Sequence, residues 1–266
     1  MGRSQRRKSG QQPPEHDAAS GEGPAQQGLY DPRFEHDACG TGFVAHVKGR
    51  RSHAIVADAL TVLDNLSHRG ARGSEPNTGD GAGILTQLPH AFFAAEAARL
   101  GFHLPPPGDY GVGMLFLPRD PARRAACERQ LADLVTAEGH ALLGWRDVPT
   151  DNRDLGATAL ASEPAIRQVF IGRGPATDAT AGGLAFERAL FVLRRLAERA
   201  IDSPADGAQV FYVASLSSRT LVYKGMLLAE QLRGYFPDLS DPRFDSAIAL
   251  VHSRFSTNTF PAWKRA

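Results

Sequence analysis

Two runs of alternating apolar residues, 209–216 and 220–223, stand on either side of Ser217-Ser218-Arg219. Strands separated by so short a turn read as a β-hairpin, and a hairpin implies antiparallel pairing. This feature constrains the fold more than any other in the chain. The remaining sequence alternates strand and helix patterns, which alone would point to a parallel, doubly wound sheet. No G-x-G-x-x-G follows the first strand pattern to support that alternative. A layered α+β fold with antiparallel sheets suits the sequence better.

The first strand is expected at 39–47, closed by Lys48-Gly49. Ile55, Ala59, Val62, Leu63 and Leu66 then fall on one face of a helix that should run to Gly70, with His68 and Arg69 in its last turn. A glycine-rich loop spans 70–83. Strands are expected at 84–88, 112–117, 140–148, 166–171 and 247–252, and helices at 90–100, 121–138 and 184–201. The last helix has the clearest stripe, with Phe186, Ala189, Leu190, Leu193, Leu196, Ala197 and Ala200 opposite Glu187, Arg194, Arg195 and Glu198. Leu104-Pro105-Pro106-Pro107-Gly108 is a linker, and no internal repeat is present.

Residues 1–28 contain no large apolar side chain after Met1 and are expected to be disordered, because they cannot bury enough surface to offset ordering entropy. Order is expected to begin within about ten residues of Cys39. Arg3, Arg6, Arg7 and Lys8 are not followed by an apolar stretch of signal-peptide length, and no run is long enough to span a membrane. A formal net charge of +1 gives no reason to expect nucleic acid or an anionic membrane as partner. Cys39 and Cys127 are the only cysteines, which excludes a disulfide framework and any all-cysteine metal site and fits a reducing cytoplasm.

A cysteine attacks an amide carbon only if its thiol loses a proton and the departing nitrogen gains one. An N-terminal cysteine carries its own base, since an α-amine has a pKa of roughly 7.7–8.0. The chain is arranged for this: a disordered head, the small residue Ala38, then Cys39 opening a strand. Residues 1–38 read as a removable propeptide, with 39–266 as the folded domain. Gly40 and Gly42 would let a ligand approach the backbone closely. The competing reading of Cys39 is an ordinary buried thiol.

Several motifs bear on that choice. They are Tyr30-Asp31-Pro32, Glu35 through Phe43, Leu66-Ser67-His68-Arg69-Gly70-Ala71, Gly79-Asp80-Gly81-Ala82-Gly83-Ile84, and His252-Ser253-Arg254-Phe255-Ser256-Thr257-Asn258-Thr259 with Pro261 and Trp263. In their order and spacing the chain resembles the class II glutamine amidotransferase domain that begins glutamate synthase large subunits. The resemblance implies a four-layer αββα N-terminal-nucleophile hydrolase sandwich whose mature chain starts at the cysteine. It also implies glutamine hydrolysis, with ammonia passed to a flavin site that converts 2-oxoglutarate to glutamate. Cys39 then matches the nucleophile. Arg254 matches the binder of the substrate α-carboxylate, Thr257 a hydroxyl that positions glutamine, and Arg69 a residue that orders the site. No cofactor or metal is expected within this stretch; FMN and an iron–sulfur cluster belong to other parts of such a protein. Glutamine, the downstream synthase domains and a small FAD/NADPH-dependent subunit are the implied partners.

In the family an Asn-Gly oxyanion pair and an aspartate for the substrate amine follow beyond the position of Ala266. The sequence as given is therefore expected to be a fragment, incomplete at its C-terminal side and inactive alone. Another class II amidotransferase, of purine or amino-sugar synthesis, and an inactive glutamine- or partner-binding module are the alternatives. Asp80 reads as a turn carboxylate, Cys127 as structural, and His252 as packing; His36 falls in the propeptide. The 70–83 loop lacks the lysine ending of a phosphate loop.

Overall fold

The computed structural model describes residues 40–73, 75–175, 183–201, 211–255 and 260–266. The expected propeptide, Cys39 and Thr257 lie outside these residues. The described part holds eight strands in two four-stranded sheets, and every pairing is antiparallel.

The first sheet has the order β1-β8-β2-β7, built from β1 (Thr41–Ala45), β8 (Ile248–Ser253), β2 (Ala82–Gln87) and β7 (Thr220–Gly225). The second has the order β4-β5-β3-β6, from β4 (Ala141–Asp147), β5 (Ala165–Gly172), β3 (Tyr110–Leu117) and β6 (Tyr212–Ser217). The α+β expectation therefore holds, but the hairpin does not. β6 pairs with β3 and β7 with β2, so Ser217-Ser218-Arg219 carries the chain from one sheet to the other. Ser217 Oγ accepts from the backbone N–H of Arg219 (2.9 Å) and Thr220 (3.1 Å), which tightens this corner. A short turn fixes a reversal of direction but not the partners of the two strands.

Helix α1 (His53–Asn65) lies on the first sheet, burying Ile55, Val56, Ala59, Leu60 and Leu63. It ends at Asn65, earlier than the spacing predicts. His68 and Arg69 belong instead to a separate 3₁₀ turn, Ser67–Arg69. Helix α2 (His90–Arg99) inserts Phe92 and Phe93 into the same core. Helices α3 (Pro121–Ala137) and α5 (Gly183–Ala200) cover one face of the second sheet. Asp120 caps α3, its Oδ1 accepting from Arg123 N–H at 2.8 Å, and Pro121 sits where its missing N–H costs nothing. In α5, Phe186, Leu190, Leu193 and Ala197 are fully buried at helical spacing, as the stripe predicts. Cys127 on α3 is buried among them, and burial pushes its thiol pKa up. Two short helices went unread in the sequence, α4 (Ala157–Ala161) and α6 (Leu232–Tyr235), as did the 3₁₀ turns around α6.

β3 is buried at all eight positions. Tyr110, Val112, Met114 and Phe116 enter the core shared with the first sheet, while Leu115 and Leu117 face α3 and α5. The sheets meet along β7. Tyr223 accepts a hydrogen bond from Gln168 of β5 at 3.0 Å and donates one to Asp238 at 2.7 Å. Arg146 of β4, 3% exposed, forms a bidentate pair with Asp238 at 2.7 and 2.8 Å and also reaches Gln168 and Glu96. Burial opposes the Arg146 charge, yet Asp238 and Glu96 more than restore it and raise its pKa. Burial, then the Asp238 charge, raises Tyr223 well above the usual phenol value, so it remains a donor.

Candidate active site

One end of the first sheet gathers the motif residues. The backbone N–H of Ser253, closing β8, donates to Gly40 O at 2.6 Å. The residue after Cys39 is thereby tied to the residue before Arg254. A Cβ on Gly40 would lie 2.2 Å from Ser253 O, so no other residue permits this approach. The 70–83 loop closes the other side. Ala71 N–H donates to Arg254 O (3.2 Å), Asp80 N–H to Ala71 O (3.1 Å), and Arg254 N–H to Gly81 O (2.8 Å). Gly81 has φ of +147°, which favours glycine strongly.

Arg254 is half-buried and shares a small cavity with Ser67, Gly70, Arg72, Gly81 and Ser253, walled by Leu227 and Leu228. Arg69 is half-buried on the 3₁₀ turn, its Cβ within 3.4 Å of where a Cβ on Gly40 would be. The structure thus brings Arg69 and Arg254 to Gly40, just before the start of β1. Asp80 sits in a bend between Gly79 and Gly81 and is buried. A larger cleft of about 460 Å³ adjoins the cavity, sharing Arg72, Leu228 and Glu230; Arg72 and Glu230 pair at 2.9 Å across it.

The sheet register sets one polar row next to this end: Thr41, His252, Gly83 and Lys224, each opposite the next. Burial, then the charges of Lys224 and Arg254, hold the His252 imidazole below its ordinary pKa of 6.5. An imidazole kept neutral avoids a third cation at the site. Lys224 was not singled out in the sequence. Its signal is a charge inside the apolar run of 220–223 and the residues that follow. Among the described residues no group of three or more His, Cys, Asp or Glu could hold a metal ion, and no helix is long and apolar enough to cross a membrane.

Residues 39–266 match the family described as "Glutamine amidotransferases class-II". The chain is 50% identical over 244 residues to "Glutamate synthase [NADPH] large chain" of Bacillus subtilis, covering 91% of this chain and 16% of that protein. It is 44% identical over 247 residues to "Glutamate synthase [NADH]" of Schizosaccharomyces pombe, covering 91% and 11% respectively. It is 40% identical over 238 residues to "Ferredoxin-dependent glutamate synthase 2, chloroplastic" of Arabidopsis thaliana, covering 90% and 14%. The chain therefore spans only a small part of the length of the relatives it matches.

Proposed function

Because the chain belongs to the class II glutamine amidotransferases, we propose that it supplies ammonia from glutamine within a glutamate synthase. The observation that carries this reading is the 2.6 Å bond from Ser253 N–H to Gly40 O, which sets Arg254 beside the residue that follows Cys39. The two antiparallel sheets, with α1 on one and α3 and α5 on the other, suit the four-layer αββα sandwich as its scaffold.

Removal of 1–38 frees the Cys39 amine. Arg254 binds the glutamine α-carboxylate through its planar fork of donors, Thr257 positions the substrate, and Arg69 orders the loop beside the nucleophile. The Cys39 thiol gives its proton to the amine, and the sulfur attacks the side-chain amide carbon. The carbon–nitrogen bond then breaks as the nitrogen takes up that proton and leaves as ammonia. Water hydrolyses the thioester, releasing glutamate and restoring the thiol. Ammonia passes to a flavin site of the synthase, where 2-oxoglutarate becomes glutamate. FMN and an iron–sulfur cluster belong to that other part; two cysteines are too few for an all-cysteine cluster site in this one. A small FAD/NADPH-dependent subunit is the proposed external partner, and the cytoplasm the compartment. Identity ranges from 50% to 36% across relatives named for three electron donors, which fits a domain that handles glutamine and not the donor.

The test is intact mass and N-terminal sequencing of the protein expressed from its complete gene, together with Cys39→Ser. Active protein should begin at Cys39, and the serine variant should lose roughly 10⁴-fold or more in glutamine hydrolysis while keeping ammonia-dependent synthesis. Residues 1–38 retained on a protein that hydrolyses glutamine would overturn the mechanism.

A further inference from the structure

Lys224 is 9% exposed, and no Asp or Glu pairs with it among the described residues. Its three ammonium donors are all used: Nζ donates to Tyr212 OH at 3.1 Å, Lys264 O at 3.0 Å and Ala266 O at 3.0 Å. Nζ also lies 4.8 Å from the centre of the Tyr212 ring. A buried cation spent on two backbone carbonyls holds a segment in place. A neutral chain of similar length would leave those carbonyls without a donor.

The segment it holds, 262–266, is seated on the ends of β2 and β7. A Cβ on Gly225 would be 2.6 Å from Trp263 Cζ3, and one on Gly81 would be 2.6 Å from Ala266 Cα. Trp263 anchors the far side, its Nε1–H donating to Ala159 O at 3.0 Å, with its ring against Phe116 and Tyr235. Gly81, under Ala266, is the residue whose carbonyl accepts the backbone N–H of Arg254 at 2.8 Å. The path from Lys224 to Arg254 is therefore short: ammonium, Ala266, Gly81, Arg254.

We propose that Lys224 is a positioning residue, which clamps the 262–266 segment onto Gly81 and thereby fixes Arg254 for the substrate carboxylate. The proposal rests on the assignment of glutamine binding to Arg254. It predicts a loss in substrate affinity with chemistry largely spared, because all three Lys224 donors are spent on Tyr212, Lys264 and Ala266.

The experiment uses the protein expressed from its complete gene, with Lys224→Met, Lys224→Arg and Trp263→Phe variants. Glutamine hydrolysis is measured alongside hydrogen exchange of the 262–266 amides and the melting temperature. Lys224→Met should raise the glutamine KM about tenfold with kcat changed less than about twofold, and should speed exchange in 262–266. Lys224→Arg should restore most of the KM, and Trp263→Phe, which removes the other anchor, should share the phenotype. If a folded Lys224→Met protein keeps both KM and exchange, the clamp is wrong. If Lys224→Met does not fold, Trp263→Phe decides on the same readouts. A wild-type protein that releases no ammonia from glutamine would instead remove the functional reading, and exchange at 262–266 would still report on the clamp.

Discussion

The two sheets have the same number of strands and the same antiparallel pairing, yet they are covered very differently. The second is covered on both sides, and its inner strand β3 is buried throughout. The first is covered by α1 on one face, while on the other Phe43, Ile248 and Leu250 are 69%, 40% and 43% exposed. The motif residues belong to the first sheet, and the fully satisfied ionic network sits where the second sheet meets it. The buried ionic network thus lies at the junction of the two sheets, and the motif residues gather at one end of the first. A site residue held by backbone bonds to loops can be exchanged without undoing the core.

Four substitutions or conditions would break or sharpen that contrast. Asp238→Ala should cost the most, about 3–5 kcal/mol of stability, because it strands the buried Arg146 charge. Thermal and denaturant unfolding would measure this, and an unchanged melting temperature would refute the central role of the network. Arg254→Lys should lower kcat/KM for glutamine by about 10²-fold, since a lysine cannot bind a carboxylate in two places. Its melting temperature should stay near that of the parent, which is the contrast with Asp238→Ala.

Acidification should come next. Burial holds His140 below its ordinary 6.5, and its Nδ1 accepts from Gly174 N–H at 3.1 Å. His252 is held below 6.5 as well, by burial and then by Lys224 and Arg254. The unfolded chain therefore takes up protons first as pH falls. Stability from both groups is present above about pH 6.5 and is lost as pH drops towards their folded values. His140→Asn, which keeps an acceptor for Gly174, should lessen this acid loss in melting curves at pH 5.5 without altering KM. Phe43→Ser should change stability least, within about 0.5 kcal/mol, because its ring already meets solvent. A large loss there would show that the exposed face is covered in solution.

Much of the fold was legible because it depends on local pattern. The buried stripe of α5 and the apolar run of β3 follow directly from the order of their residues. Pairing was not legible to the same degree. The 209–223 segment indicated antiparallel sheets correctly, although β6 and β7 are not partners. Strand exchange between sheets depends on what lies beneath each strand, which the turn does not record. Arg146 and Asp238 are 92 residues apart and carry no mutual signal in the sequence. Arg69 and Arg254 are singled out by motif resemblance, and both lie near Gly40. Lys224 was missed because two of its three hydrogen-bond partners are backbone carbonyls, which every residue possesses.

β1 pairs with β8, joining residues more than two hundred positions apart. The loop between them must close before Gly40 meets Ser253, and long closures are slow relative to local ones. During synthesis, the first strand leaves the ribosome long before its partner exists. Until then Gly40 has no Ser253 to accept from. Assembly order alone therefore delays the joining of this end of the first sheet until residue 253 has been made.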